Sequence, residues 1–267
     1  MIQIFKNKNL MFITSFVCGL AFLPEAFAQC ESVFGKFHDS SGSPDSSQIS
    51  TLIEQMKDVT VRTSRDAQEA LFEIGAPAVP ALIEQLKSEN PRDRGQAANV
   101  LGRIGDRRAV APLIQYLEDK SLKSFAKSDA VIALGKIKDP AAIPALMDAL
   151  RSTDLKEHAT EALKNIGEPA FEALLTTLSG TNTAKSAAAA LALGEFKDQR
   201  AVYDLTQALY DQRFENSWEV RLTAVVALKK IGHPSALQDL MNVAQNDPVP
   251  QIRRVAQNAT ENMGRWE

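Results

Sequence analysis

Three histidines, His38, His158 and His233, and two cysteines, Cys18 and Cys30, are the residues of this 267-residue chain best suited to metal ligation or nucleophilic attack. Their spacing supports neither. A helical metal site needs a second histidine one turn away on the same face, and His158, beside Glu157, has none. His233 precedes Pro234 where a helix should start, so it reads as a cap or a solvent-facing ring. His38, Asp39 and Asp45 fall in a Ser-, Gly- and Pro-containing stretch whose polarity is that of a linker. No glycine-rich phosphate loop and no nucleophile elbow is present. We therefore expect no catalytic residue, no metal and no cofactor, and read the chain as non-enzymatic.

Binding is the chemistry left. Leu191, Leu222 and Val226 are apolar where equivalent positions of other repeats carry Asn99, Glu157, Glu161 or Asn258. A helix that is apolar all round must be covered by something. The adjacent segment Tyr210–Trp218 adds Tyr210, Arg213, Phe214 and Trp218, and aromatic residues with arginine are the usual anchors of interfaces. Lys156, Lys185, Arg221 and Arg253 would supply complementary charge. Either another protein or peptide segment covers the apolar positions, or the Tyr210–Trp218 insert folds over them. The sequence leaves both open.

These residues are positioned by a phrase that recurs along the chain: VLGRIG at Val100–Gly105, ALGKIK at Ala133–Lys138, ALKNIG at Ala162–Gly167, ALGEFK at Ala192–Lys197 and ALKKIG at Ala227–Gly232. The markers Ile74, Ile104, Ile137, Ile166, Phe196, Ile231 and Met263 are spaced by 30, 33, 29, 30, 35 and 32 residues. A period near 30 is the mark of a stacked repeat. Each repeat predicts two helices. The first opens with an apolar pair three apart, such as Val110/Leu113 or Val202/Leu205, on one helical face. Asp106, Asp139 and Asp198 stand upstream as caps, and Pro140, Pro169 and Pro234 suit a first turn. In the second helix, three before the marker, stands Leu101, Leu134, Leu163, Leu193 or Leu228. Seven before it stands an alanine, small enough to let helices approach. Ten before it runs a basic column, Arg94, Lys127, Lys156, Arg221 and Arg253, broken by Ser186. Lying at the edge of the buried stripe, the column is expected to pair with Asp106, Asp139, Glu168 and Asp198 and stitch repeats together. The fold class is all-α: a right-handed α-solenoid of about six to seven helical hairpins over 49–267, since one hairpin cannot bury its apolar face alone.

The pattern AVPALIEQL…AANVLGRIG resembles the HEAT-like repeats of the bilin-lyase (PBS lyase) type over roughly residues 49–263. That resemblance implies a solenoid whose second helices line the concave side. Bilin lyases attach or isomerise chromophores on cysteines of light-harvesting proteins, which lie in the cytoplasm. Deoxyhypusine hydroxylase, another HEAT-repeat enzyme, holds iron with repeated His-Glu pairs, and this chain has no His-Glu dipeptide.

Lys6, Lys8, the apolar run Leu10–Leu23 and Ala26-Phe27-Ala28 form a signal-peptide pattern over 1–28, too short to span a bilayer comfortably. A linker over 29–48 follows. Export would leave Cys30 as a single thiol, with no internal disulfide to make. Loss of Lys6, Lys8 and Glu25 moves the net charge from −3 to −4. A mildly acidic chain is a poor nucleic-acid binder. The leading expectation is an exported, periplasmic or secreted, protein-binding scaffold with no stable membrane insertion after cleavage. A bilin-lyase-like enzyme or accessory, and a self-assembling spacer, are the alternatives.

Overall fold

The computed structural model describes residues 45–123, 127–211 and 217–263. The expected leader (1–28), residues 29–44 of the expected linker with Cys30 and His38, and Arg213 and Phe214 lie outside the described residues. Ser46, Ser47 and Gln48, assigned above to the linker, already form the first turn of a helix.

Among the described residues there are fourteen α-helices and no strand, and the helices pair into seven hairpins. In chain order they are α1 (Ser46–Met56) with α2 (Val61–Ile74), α3 (Val79–Gln85) with α4 (Pro91–Ile104), and α5 (Val110–Glu118) with α6 (Ser128–Ile137). Then come α7 (Ile143–Ala149) with α8 (Lys156–Ile166), and α9 (Glu168–Leu178) with α10 (Thr183–Phe196). The last two are α11 (Val202–Tyr210) with α12 (Trp218–Ile231), and α13 (Leu237–Asn246) with α14 (Pro250–Met263). One apolar cluster runs from Ile49 to Ala259, with the first-helix pairs and the second-helix leucines at its centre.

The expected caps start the first helices. Asp106 accepts the N–H of Arg108 at 2.9 Å, Asp139 that of Ala141 at 3.0 Å and Asp198 that of Arg200 at 2.9 Å. His233 does the same through Nδ1 toward the N–H of Ser235, so its role is a cap. Each satisfies an orphan donor of a 3-10 turn that leads into the helix. At the α8–α9 junction the aspartate is replaced by Glu168-Pro169, and Gly167 itself is the cap at φ 84°, ψ −134°, a backbone region open essentially to glycine. There α9 begins at once, with no 3-10 turn.

The basic column has a structural role other than the expected one. Arg94 Nη1 donates to the carbonyls of Ser88 and Glu89, at 2.6 and 3.3 Å. Arg253 Nη1 donates to those of Asp247 and Pro248, at 2.7 and 3.3 Å. Ser186 Oγ, the exception in sequence, donates to Thr177 at 3.1 Å, and Ser64 Oγ to Met56 at 2.7 Å. At these four places the position supplies a donor to the carbonyls around the turn between the two helices of its own hairpin. The acidic series is held instead by arginines of the 3-10 turns. Arg107 Nε donates to Asp139 at 2.6 Å, and Arg200 makes a two-pronged contact with Glu168 at 2.6 and 2.9 Å. Repeats are stitched by Arg107 and Arg200 and, from the column, by Arg221, whose Nε donates to Asp247 of the next repeat at 2.9 Å.

Closest approach between second helices is made by glycine, two residues before the marker, and not by the alanine seven before it. A Cβ built on Gly102 would lie 2.7 Å from Ala133 Cα, on Gly135 2.6 Å from Ala162 Cα, and on Gly194 2.7 Å from Ala227 Cα. Such contacts bring backbones together as no side chain would allow.

Candidate functional site: the cleft between the fourth and fifth repeats

The fourth repeat departs from that glycine rule. Lys164 takes the position, and the register that pairs Gly102 with Ala133 assigns Ala192 to it. Of the consecutive second helices, α8 and α10 make the fewest contacts. A cleft of about 400 Å³ opens between them, with Lys164 and Ala192 both in its lining. Its α8 wall is polar: Lys156, Glu157, Thr160, Glu161 and Lys164. Its α10 wall presents Ala188, Leu191 and Ala192, with Glu195 and Lys230 at one end. Lys164 pairs with Glu161 at 3.3 Å, and Lys230 with Glu195. Lys156, the first residue of α8, is exposed. The cleft thus offers an apolar wall facing a charged one.

The residues singled out in sequence are distributed unevenly. Leu191 and Lys156 line the cleft. Val226 holds the same position on α12 as Leu191 on α10 and is half-buried on that face, whereas Leu222 packs against the core. Trp218 opens α12 with 43% of its surface exposed. Tyr210 stands apart, in a separate groove of about 420 Å³ beside α13, where its hydroxyl lies 3.0 Å from Asp239 Oδ1 and accepts from Asn242 Nδ2 at 3.1 Å. Burial pushes its phenol above the ordinary tyrosine value, with Asp239 adding to the effect and Asn242 opposing it.

The expected complementary charges need correcting. Arg221 is only 7% exposed and forms an ion pair with buried Asp247 at 2.9 Å, so it does not present charge to a partner. Lys185 pairs with Asp148 at 2.7 Å, and Arg253 is used by its own hairpin turn. Of the four, Lys156 is the one at the cleft. Sequence reasoning missed Lys164, Glu195 and Lys230 as members of this site. The coincidence of Lys164 at the glycine position with Gly167-Glu168-Pro169, where the capping aspartate is missing, was the signal that could have found it.

Among the described residues no group of His, Cys, Asp and Glu could hold a metal ion, and no helix is long and apolar enough to cross a membrane. The model of the HEAT-repeat family matches residues 79–167 and 171–261. This chain belongs to the HEAT-repeat family. The gap between the two matched stretches falls at the α8–α9 junction, beside the cleft.

Among HEAT-repeat relatives, the chain is 31% identical over 182 residues to phycocyanobilin lyase subunit alpha of a Picosynechococcus strain, covering 60% of this chain and 66% of that one. It is 29% identical over 144 residues to phycocyanobilin lyase subunit beta of Thermosynechococcus vestitus, covering 53% and 51%. The chain therefore spans less than two thirds of the length of either relative. The solved complex of CpcE and CpcF of phycocyanin lyase from Nostoc sp. PCC7120 is 23% identical, with a TM-score of 0.41, covering 85% of this chain and 98% of that one. These relatives overturn the expectation of a non-enzymatic chain: both are subunits of a lyase.

Proposed function

We propose that this HEAT-repeat protein is a subunit of a lyase-type enzyme that handles an open-chain tetrapyrrole on a client protein. The observation that carries the reading is its identity to both phycocyanobilin lyase subunits, 31% and 29%. That each relative is named as a subunit supports work alongside a second chain. The cleft is compatible with such a ligand in kind: Ala188 and Leu191 offer apolar contact, and Lys156 offers a cation to a carboxylate side chain, with Lys164 and Lys230 able to do so by exchanging their pairs with Glu161 and Glu195. At about 400 Å³ it would take part of the chromophore, leaving the rest toward the client.

The deciding experiment adds phycocyanobilin to the purified protein, alone and with chains that co-purify with it, and follows visible absorption and fluorescence. A shifted, intensified red band that Leu191→Asp removes supports the reading. Unchanged spectra in every combination overturn it.

A second reading, a protein-binding scaffold, is favoured by Leu191 and Val226, two half-buried apolar side chains at equivalent positions of neighbouring helices. Export to the periplasm or beyond, suggested by the leader pattern of 1–28, belongs to the scaffold reading, since the light-harvesting clients of bilin lyases lie in the cytoplasm.

A further inference from the structure

A stacked repeat is as cooperative as its weakest interface, because stability is close to a sum of repeat terms and nearest-neighbour terms. In this stack the interfaces are unequal for a reason visible in the side chains. Gly102, Gly135 and Gly194 set helix backbone against helix backbone at the three tightest second-helix interfaces. At α8–α10 Lys164 holds the glycine's position in sequence. Driving it between the helices would strip its water, so it stays at the rim and reaches Glu161 instead.

The chain connection is weakened at the same level. Gly167 joins α8 to α9 without a capping side chain and without the 3-10 turn found at the other inter-repeat connections. Across the junction α10 contributes Lys185–Asp148 to α7, with both side chains about half exposed, and the first helices a Thr177 Oγ1 contact to Met147 Sδ at 4.0 Å. Exposed pairs of this kind add little rigidity. Phe72 and Lys229 also replace glycine elsewhere, yet their helices pack more closely, since neither coincides with a bare glycine junction that lacks the 3-10 turn.

We propose that the α8–α10 junction is a hinge between two blocks, the described residues of 46–166 and those of 168–263, which no glycine contact draws together at Lys164, so that the width of the cleft is a variable of the molecule. The inference stands whether or not the chain proves to be a lyase subunit. Closure would bring the polar wall of α8 toward Leu191, so an occupant of the cleft would be gripped by a change of angle between blocks rather than by loop movement. Hinge motions of this class run in microseconds to milliseconds.

The test uses the full chain with Cys18 and Cys30 replaced by serine and spin labels on pairs of exposed positions. Lys136 with Arg254 spans the hinge, and Lys136 with Glu73 lies inside the first block. Pulsed dipolar spectroscopy should give a cross-hinge distance distribution at least about twice as broad as the in-block one. Lys164→Gly should narrow it to the in-block width. Urea unfolding, followed by hydrogen exchange and mass spectrometry, should show the blocks opening at separate concentrations in the parent and together in Lys164→Gly. Because glycine also weakens the helix, Lys164→Ala serves as the second variant and should narrow the distribution partway. Equal widths in the parent, or no narrowing in either variant, would overturn the hinge.

Discussion

Arg221 Nε donates to Asp247 Oδ2 at 2.9 Å, and the two side chains are 9% and 4% exposed. The pair ties the start of α12 to the turn after α13, across neighbouring repeats. Removing one partner leaves the other charge buried without its main counter-charge, which costs up to about 3–5 kcal/mol. Arg221→Ala and Asp247→Ala should each destabilise by that order in chemical denaturation. The double change Arg221→Met/Asp247→Leu should recover much of the loss. A loss below about 1 kcal/mol in the single variants would show that the pair contributes little.

Gly194→Ala sets two effects in opposition. Alanine favours an isolated helix by about 1 kcal/mol. The added Cβ, however, meets Ala227 Cα at 2.7 Å, backbone that cannot turn aside, and overpacking of this kind costs about 1–3 kcal/mol. The expected net result is a lower thermal midpoint. A rise would mean that the α10–α12 contact relaxes freely.

Acid should loosen the edge that carries the 3-10 turns. The side chain of Arg108 holds Asp106 below the usual carboxylate range, Arg107 does so for Asp139, and Arg200 for both Asp198 and Glu168. A carboxyl depressed in the folded state adds stability above its unfolded pKa, near 4, and that stability is lost as the pH falls through the lowered value. Thermal midpoints should therefore be level from about pH 7 to 5 and drop below about pH 4. Asp198→Asn with Glu168→Gln should make that drop shallower. An unchanged acid limb in the double variant would exclude these groups as its source.

Leu191 and Leu222 look alike in sequence and should behave differently. Leu222 packs against the core, so Leu222→Asp should cost about 2 kcal/mol or more in stability. Leu191 lines the cleft, so Leu191→Asp should leave the urea midpoint nearly unchanged while abolishing any ligand or partner signal. Equal stability losses in the two variants would place Leu191 in the core.

If 1–28 is a cleaved leader, intact-mass measurement of protein recovered from the native cell envelope should give a chain starting at Gln29. A full-length mass, with Met1 present, would favour a retained anchor.

Helix number, hairpin pairing and most caps were legible because they depend on local spacing. Asp106, Asp139, Asp198 and His233 stand before their turns in the sequence and cap them in the structure. The start of α1 at Ser46 was misplaced by three residues, since a polar first turn resembles the end of a linker. The site was legible only in part. Leu191 and Lys156 lie at the cleft, but Arg221 belongs to a buried pair with a residue 26 positions away.

The sequence by itself determined that this is a stack of helical hairpins, because a 30-residue period and apolar spacing recur within each unit and need no knowledge of the neighbours. Tertiary structure alone decided where the stack parts. The register between α8 and α10 assigns Ala192 to Lys164, where three other junctions set glycine against alanine, and without that glycine, and without a 3-10 turn at Gly167, the two helices stand further apart.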